Sequence, residues 1–228
     1  MTAPLKYLVA LALVQFTSLA AAQPMDQLPM YGGADRMADS SLKAADEKLI
    51  VDTTKYYGSR EKASQAFVGN GFAYYNRDDL PNAMRRFNQA WLLDPNNPEA
   101  YWGFGAVLHD KGKNCEAMAQ FQKALSFGRY VEGMNPDAAR ITTLCAVDDK
   151  ALSDEARNKL LASADALYAE ALDKDPNKGY VYGSMATARY WRGQYAEAWE
   201  AVRLARANGG KLPEKFLNLL RAKMPEPS

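Results

Sequence analysis

Residues 64–94 read SQAFVGNGFAYYNRDDLPNAMRRFNQAWLLD, and residues 98–128 read PEAYWGFGAVLHDKGKNCEAMAQFQKALSFG. At an offset of 34 residues they share seven identities: Ala66/Ala100, Gly69/Gly103, Gly71/Gly105, Ala83/Ala117, Met84/Met118, Phe87/Phe121 and Ala90/Ala124. Ordinary composition would give about two. The identities are also sorted by size. Small residues fall where two helices must approach closely, and large apolar ones fall where a neighbouring helix offers a hole. A period of this length marks stacked helical units.

Punctuation divides each unit into two helices. Ser64–Asn76 leads to a turn at Arg77-Asp78-Asp79, and Pro81 fits the first turn of a second helix that ends at Asp94-Pro95. The next unit opens with Asn97 as cap and Pro98 in the first turn, bends at Lys111-Gly112-Lys113 and ends near Gly128. A lone hairpin cannot bury its apolar face, so the units must stack into a solenoid. Outward from this pair, Asn135-Pro136 opens a third unit whose long second helix starts at Ser153 and runs to Asp175-Pro176. The offset then returns at Ala164/Ala198 and Ala171/Ala205, which defines a fourth hairpin closed by Asn208-Gly209-Gly210. The expected fold is an all-α solenoid with hairpins over 64–95, 98–128, 136–176 and 179–210. A leading helix over 41–63, capped by Asp39 or Ser40, precedes it, and an end helix over 213–223 turns Phe216, Leu217 and Leu220 to the array.

In Phe67, Gly71, Tyr74, Ala83, Phe87, Ala90 and Pro95 the first unit resembles the tetratricopeptide repeat family, position by position. The second unit matches through Tyr101, Gly105, Ala117, Phe121 and Ala124 without the closing proline. The third matches in Ala164, Tyr168, Ala171 and Pro176, after an insertion that displaces its first helix, and the fourth in Tyr182, Ala198 and Ala205. The resemblance implies a concave face, lined by the first helix of each hairpin, that holds a protein or peptide partner. Carried to matching positions, that face comprises Gln65, Val68, Phe72, Tyr75 and Asn76, then Glu99, Trp102, Ala106, His109 and Asp110, then Tyr180, Thr187, Tyr190 and Trp191. Its aromatic content suits binding hot spots. The pattern allows each ring two placements, in the groove or in the core. Cochaperones of this family grip a terminal carboxylate with a Lys, Asn and Arg clamp, but Val68, Phe72, Gly103 and Glu99 stand at the matching positions here. The resemblance therefore implies no acidic C-terminal peptide as ligand.

The first 22 residues have the parts of a signal peptide: a start positively charged through Lys6, an apolar run over Tyr7–Ala22 and a small-residue end at Leu19-Ala20-Ala21-Ala22. Cleavage after Ala22 is expected, leaving an exported, periplasmic or secreted chain without stable membrane insertion, and a flexible lead over 23–40. Lys6 is the one charged side chain removed, so the formal net charge falls from +1 to zero. A neutral chain without basic runs gives no electrostatic footprint for nucleic acid. Cys115 begins the second helix of unit two and Cys145 ends the first helix of unit three, on antiparallel neighbours. An even cysteine count in an exported chain predicts that they form a disulfide.

No phosphate-binding glycine loop or nucleophile elbow occurs, and with His109 the single histidine there is no multi-histidine metal site. Asp78/Asp79 and Asp148/Asp149 lie in turns, where aspartate caps or bends the chain. His109 with Asp110 and Glu116 is the one arrangement resembling a general base, and a surface or interface role suits it better. The sequence thus predicts an exported scaffold or adaptor of a cell-envelope assembly, without cofactor or metal, and not an enzyme. Two alternatives use the same frame: an enzyme or small-ligand protein, and repeats that serve mainly to make a homodimer.

Overall fold

A computed structural model describes residues 24–227 and contains ten α-helices with no strand among them. The signal-peptide reading of residues 1–22 lies outside this range. The helices are α1 (Ser40–Tyr57), α2 (Arg60–Tyr75), α3 (Leu80–Leu93), α4 (Pro98–Asp110), α5 (Asn114–Leu125), α6 (Met134–Asp148), α7 (Asp154–Lys174), α8 (Lys178–Trp191), α9 (Tyr195–Ala207) and α10 (Glu214–Arg221). Pairs α2/α3, α4/α5, α6/α7 and α8/α9 form successive hairpins that pack side by side, as an all-α solenoid requires.

Side-chain caps start six of these ten helices. The side chains of Asp39, Ser59, Asp79, Asn97, Ser153 and Asn177 accept backbone N–H bonds at the first turns of α1, α2, α3, α4, α7 and α8. Arginines close two of the C-termini. Arg60 donates to the Leu93 and Leu92 carbonyls at 2.8 and 3.0 Å, and Arg157 reaches the carbonyl of Ala146 and, at 3.1 Å, that of Asp149.

Packing is decided by rings entering glycine gaps. Phe87 of α3 is completely buried, and a Cβ placed on Gly71 of α2 would lie 2.4 Å from its ring. On Gly103 of α4 the same atom would lie 2.3 Å away, so one ring is held between the first helices of two successive units. Phe121 repeats the arrangement against Gly105, at 2.6 Å. Around these rings, Met84, Tyr101, Phe104, Val107, Met134 and Ile141 form one continuous core. Buried polar links cross the same interface: Asn97 donates to Ser64 Oγ at 2.9 Å, and Ser64 Oγ donates to the Ala90 carbonyl at 2.8 Å.

Three features depart from the sequence reading. The leading helix stops at Tyr57 rather than reaching residue 63, because Gly58 takes a left-handed φ of 87° and Ser59 starts a new helix. The apolar spacing of Leu42, Ala45, Leu49 and Thr53 would put Ala45 on the packed face of α1, but Ala45 is exposed and Asp46 is buried. The stretch expected to be a flexible lead is docked from Met25 onward. It makes two short 3₁₀ turns on α3, with Tyr31 only 6% exposed. The fully buried Asn88 side chain accepts from Tyr31 N at 3.2 Å and donates to the Asp26 and Leu28 carbonyls at 3.0 and 2.9 Å. Arg36 stacks 4.0 Å over the Tyr31 ring and pairs with the buried Asp46. These contacts give the segment its hydrogen bonds, so it need not remain in solvent.

The third hairpin is the irregular one. From Met134 to Ala146, every residue of α6 except Arg140 is buried, whereas α7 buries only Ala164, Tyr168 and Ala171. The Cys115–Cys145 disulfide forms and ties the start of α5 to the end of α6. Fully buried Asp175, at the α7 C-terminus, accepts from Gly133 N at 2.7 Å, Tyr130 Oη at 3.2 Å and Asn177 N at 2.9 Å, fastening the loops on either side of the unit. At the far end, Leu217 and Leu220 of α10 seal α9, and Trp199 Nε1 donates to the Met224 carbonyl at 3.0 Å.

The glycine gaps give a prediction of opposite signs two residues apart. Gly71→Ala pushes a methyl into the Phe87 ring and should destabilise by about 1–3 kcal/mol. Gly69→Ala, with nothing within 4 Å of its new methyl, should stabilise by about 0.5–1 kcal/mol. Urea unfolding of the two variants checks both signs.

Candidate binding surface on the first helices

The first helices of all four hairpins meet around Asp137, near the start of α6. Its carboxylate accepts from Trp102 Nε1 of α4 at 3.0 Å, from Tyr180 Oη of α8 at 2.5 Å and from Arg140 Nη2 one turn along α6 at 3.1 Å. Only 12% of the Asp137 side chain and 23% of Arg140 remain exposed, so the ion pair sits in a medium where each unmade bond would be costly. Burial, and then the Asp137 carboxylate, push the Tyr180 hydroxyl far above its ordinary range, which keeps it protonated as a donor. Burial and a hydrogen bond to Asp110 do the same for Tyr75.

Arg140 extends the network to His109. Its Nη1 lies 3.0 Å from His109 Nε2, and His109 Nδ1 lies 2.7 Å from Asn114 Oδ1. A guanidinium only donates, so Nε2 accepts and the proton sits on Nδ1, directed at the Asn114 carbonyl oxygen. Burial holds the imidazole below its ordinary 6.5, with the Arg140 charge acting the same way. Asn114 then donates to Asp148 at 2.6 Å. The histidine makes its bonds to Arg140 and Asn114 rather than to Asp110 or Glu116, and its free lone pair is already taken. The acids in question have other partners: Asp110 serves Tyr75, and Glu116 pairs with Lys113 at 3.1 Å. Among the described residues, no group of three or more His, Cys, Asp or Glu is placed to hold a metal ion. Nor is any described helix long and apolar enough to cross a membrane.

Of the residues assigned from sequence, Phe72, Tyr75, Asn76, Trp102, Ala106, His109 and Tyr180 line one cavity of about 210 Å³, together with Asp137 and Arg140. Glu99 joins Trp102 and Tyr180 around a second of about 480 Å³, and Thr187 joins Tyr180 and Arg140 around a third of about 500 Å³. Tyr180 is thus common to all three. Gln65 stands beside the second by donating to Glu99 Oε2 at 2.8 Å, and Asp110 stands behind Tyr75. Three assignments fall elsewhere. Val68 is 2% exposed, packed with Ala63, Phe67, Leu93 and Ala100, and offers no groove surface. Tyr190 packs on Tyr195 and Phe216, where α10 covers the last hairpin. Trp191, 47% exposed, leans on Tyr190 and lines none of the three cavities. Sequence reasoning missed Asp137 and Arg140. Their i, i+3 spacing directly after Asn135-Pro136 was the available signal, but the insertion before α6 removed the register that would have placed them on the face.

The His109 arrangement makes stability depend on pH. In the unfolded chain the imidazole takes up a proton near 6.5, and in the folded chain only below that value. The unfolded state therefore binds more protons in between, and stability, fully present above 6.5, falls as the pH drops below it. His109→Gln keeps an acceptor for Arg140 but no titration. Melting curves from about pH 7.5 down to about pH 5.5, one unit either side of the ordinary histidine value, should show the wild-type slope flattened in the variant.

Residues 71–112 match the family model described as TPR repeat. No curated protein matches the chain. The matched stretch holds Gly71, Phe87, Gly103 and Gly105, the residues that form the ring-in-gap packing, and similar hairpins stack beyond it as far as α9. The chain therefore carries a tetratricopeptide repeat within an all-α solenoid of similar hairpins, a frame that ordinarily serves as a protein-interaction scaffold.

Proposed function

We propose that the protein is an exported scaffold or adaptor that holds a peptide or partner domain against the first-helix face, within an assembly of the cell envelope. The observation that carries this reading is the sharing of Tyr180 by three adjoining cavities, with Trp102 common to two of them. Both rings are fixed in orientation by Asp137, so little conformational entropy remains to be lost when a partner covers them. An extended segment laid across α4, α6 and α8 would meet the Trp102 and Tyr180 rings beside the Asp137–Arg140 pair. The signal-peptide pattern of residues 1–22 and the Cys115–Cys145 bridge support export, because disulfides persist in oxidising compartments.

Site-specific photo-crosslinking in the native envelope tests the reading. A photoreactive residue at Asn76 or Thr187, on the proposed face, should trap a partner, and one at exposed Gln122 on α5 should not. Trapping from position 122 alone, or trapping from 76 and 187 that survives Tyr180→Ala unchanged, contradicts it.

A further inference from the structure

We propose that the cavity between the start of α4, the loop before α6 and the start of α8 receives a cationic side chain, lysine or arginine, from the polypeptide held on the first-helix face. The inference rests on the reading of that face as a binding surface and specifies the chemistry of its partner.

The cavity has aromatic walls and an acidic rim. Trp102 and Tyr180 both line it, and both rings approach Gly133 at its floor: a Cβ built on that glycine would lie 3.4 Å from the Trp102 ring and 3.8 Å from Tyr180. Gly133 has a φ of 80°, so any other residue would strain the backbone as well as fill the gap between the rings. Three carboxylates belong to the lining, Glu99, Glu132 and Asp175, and no lysine or arginine does. Asp175 is spent on its three donors. Glu99 gives one oxygen to Gln65 and the other to Arg129 at 3.0 Å, in a pair whose arginine is 56% exposed and contributes little. Glu132 is exposed and makes no ion pair among the described residues.

Arg129 sits on Glu99 at the edge of this opening, and the other cations near it in the chain are held away from it. Lys174 pairs with Glu170 at 2.7 Å and stacks over Tyr130, Lys178 donates to the Leu172 and Asp173 carbonyls, and Arg140 is shared between Asp137 and His109. The molecule therefore leaves a ring-lined opening where Glu132 makes no ion pair among the described residues, beside an Arg129 that is bound to Glu99 and 56% exposed. A guanidinium or ammonium entering it would stack on aromatic faces and meet the Glu132 carboxylate at the mouth. An anion would face the Glu132 carboxylate, and a purely apolar side chain would desolvate that carboxylate without compensation.

The test titrates ¹⁵N-labelled protein with N-acetyl-arginine amide and with N-acetyl-citrulline amide, its uncharged near-isostere. The readouts are the Trp102 indole N–H, assigned through Trp102→Phe, and the Gly133 amide. Saturable shifts at both with the arginine probe, and about tenfold weaker binding of the citrulline probe, are expected. Glu132→Gln, at an exposed position, should weaken the arginine probe about threefold and leave the citrulline probe unchanged. Equal binding of the two probes, or no saturable shift with either, overturns the proposal. If those results accompany partner cross-links from positions 76 and 187, the binding surface stands and only its cation preference falls. If the cross-links are absent as well, both readings fail.

Discussion

The ring of Phe87 has room only because two helices lack side chains beside it. Gly71 on one side and Gly103 on the other let α2 and α4 close onto α3, and a methyl on either would come well inside van der Waals contact with the ring. That single insertion fixes how far apart the first two units stand, and Phe121 against Gly105 repeats the contact of Phe87 with Gly71 inside the second hairpin. Because the rings enter from the second helices, the first helices are drawn together, and Phe72, Trp102 and their neighbours come to share one surface. Phe72 shows the coupling directly: its ring packs edge-on against both Phe87 in the core and Trp102 on the face, at 5.1 Å in each case.

Beyond the second unit the array is held by polar chemistry instead. Here α6 is enclosed on nearly all sides, so the polar groups it carries had to find partners inside the protein. Asp137 and Arg140 do so by joining α4, α6 and α8 into one hydrogen-bonded layer, and Asp175, at the end of α7, clasps the loops before α6 and α8. The disulfide adds a covalent tie at the opposite end of α6, from the Cys145 side to α5. The irregular unit is therefore bound to its neighbours on both flanks, and its insertion supplies Glu132 and Gly133 to the proposed cation cavity.

What the sequence made legible follows from the range of the interactions involved. Caps and first-turn prolines act within three or four residues, so Asn97-Pro98 and Ser153 announced their helices; the phenylalanine and glycine repeats carried the stacking. The docked segment over 24–38 was illegible because nothing local marks it. Met30 and Tyr31 take left-handed φ values of 50° and 53°, and the amide that holds them, Asn88, lies more than fifty residues away. On the face, the ring positions in α2, α4 and the first turn of α8 were readable by analogy of register. Val68 was misplaced because it lies on the core-packed side of α2 with Ala63 and Phe67, a placement set by neighbouring helices that register alone did not separate from the face. Tyr190 was misplaced because α10, a late and separate element, covers it. Asp137 and Arg140 lay hidden behind the insertion, although the whole surface is organised about them.

Hydrogen exchange with and without the partner captured from the envelope tests the central claim most directly, that binding occurs on the face assembled around Asp137. Protection concentrated in α4, the Glu132–Gly133 loop and the first two turns of α8, with α3, α5 and α9 unchanged, is the predicted outcome. Protection confined to those second helices, with the loop at Gly133 exchanging as in the free protein, would contradict it.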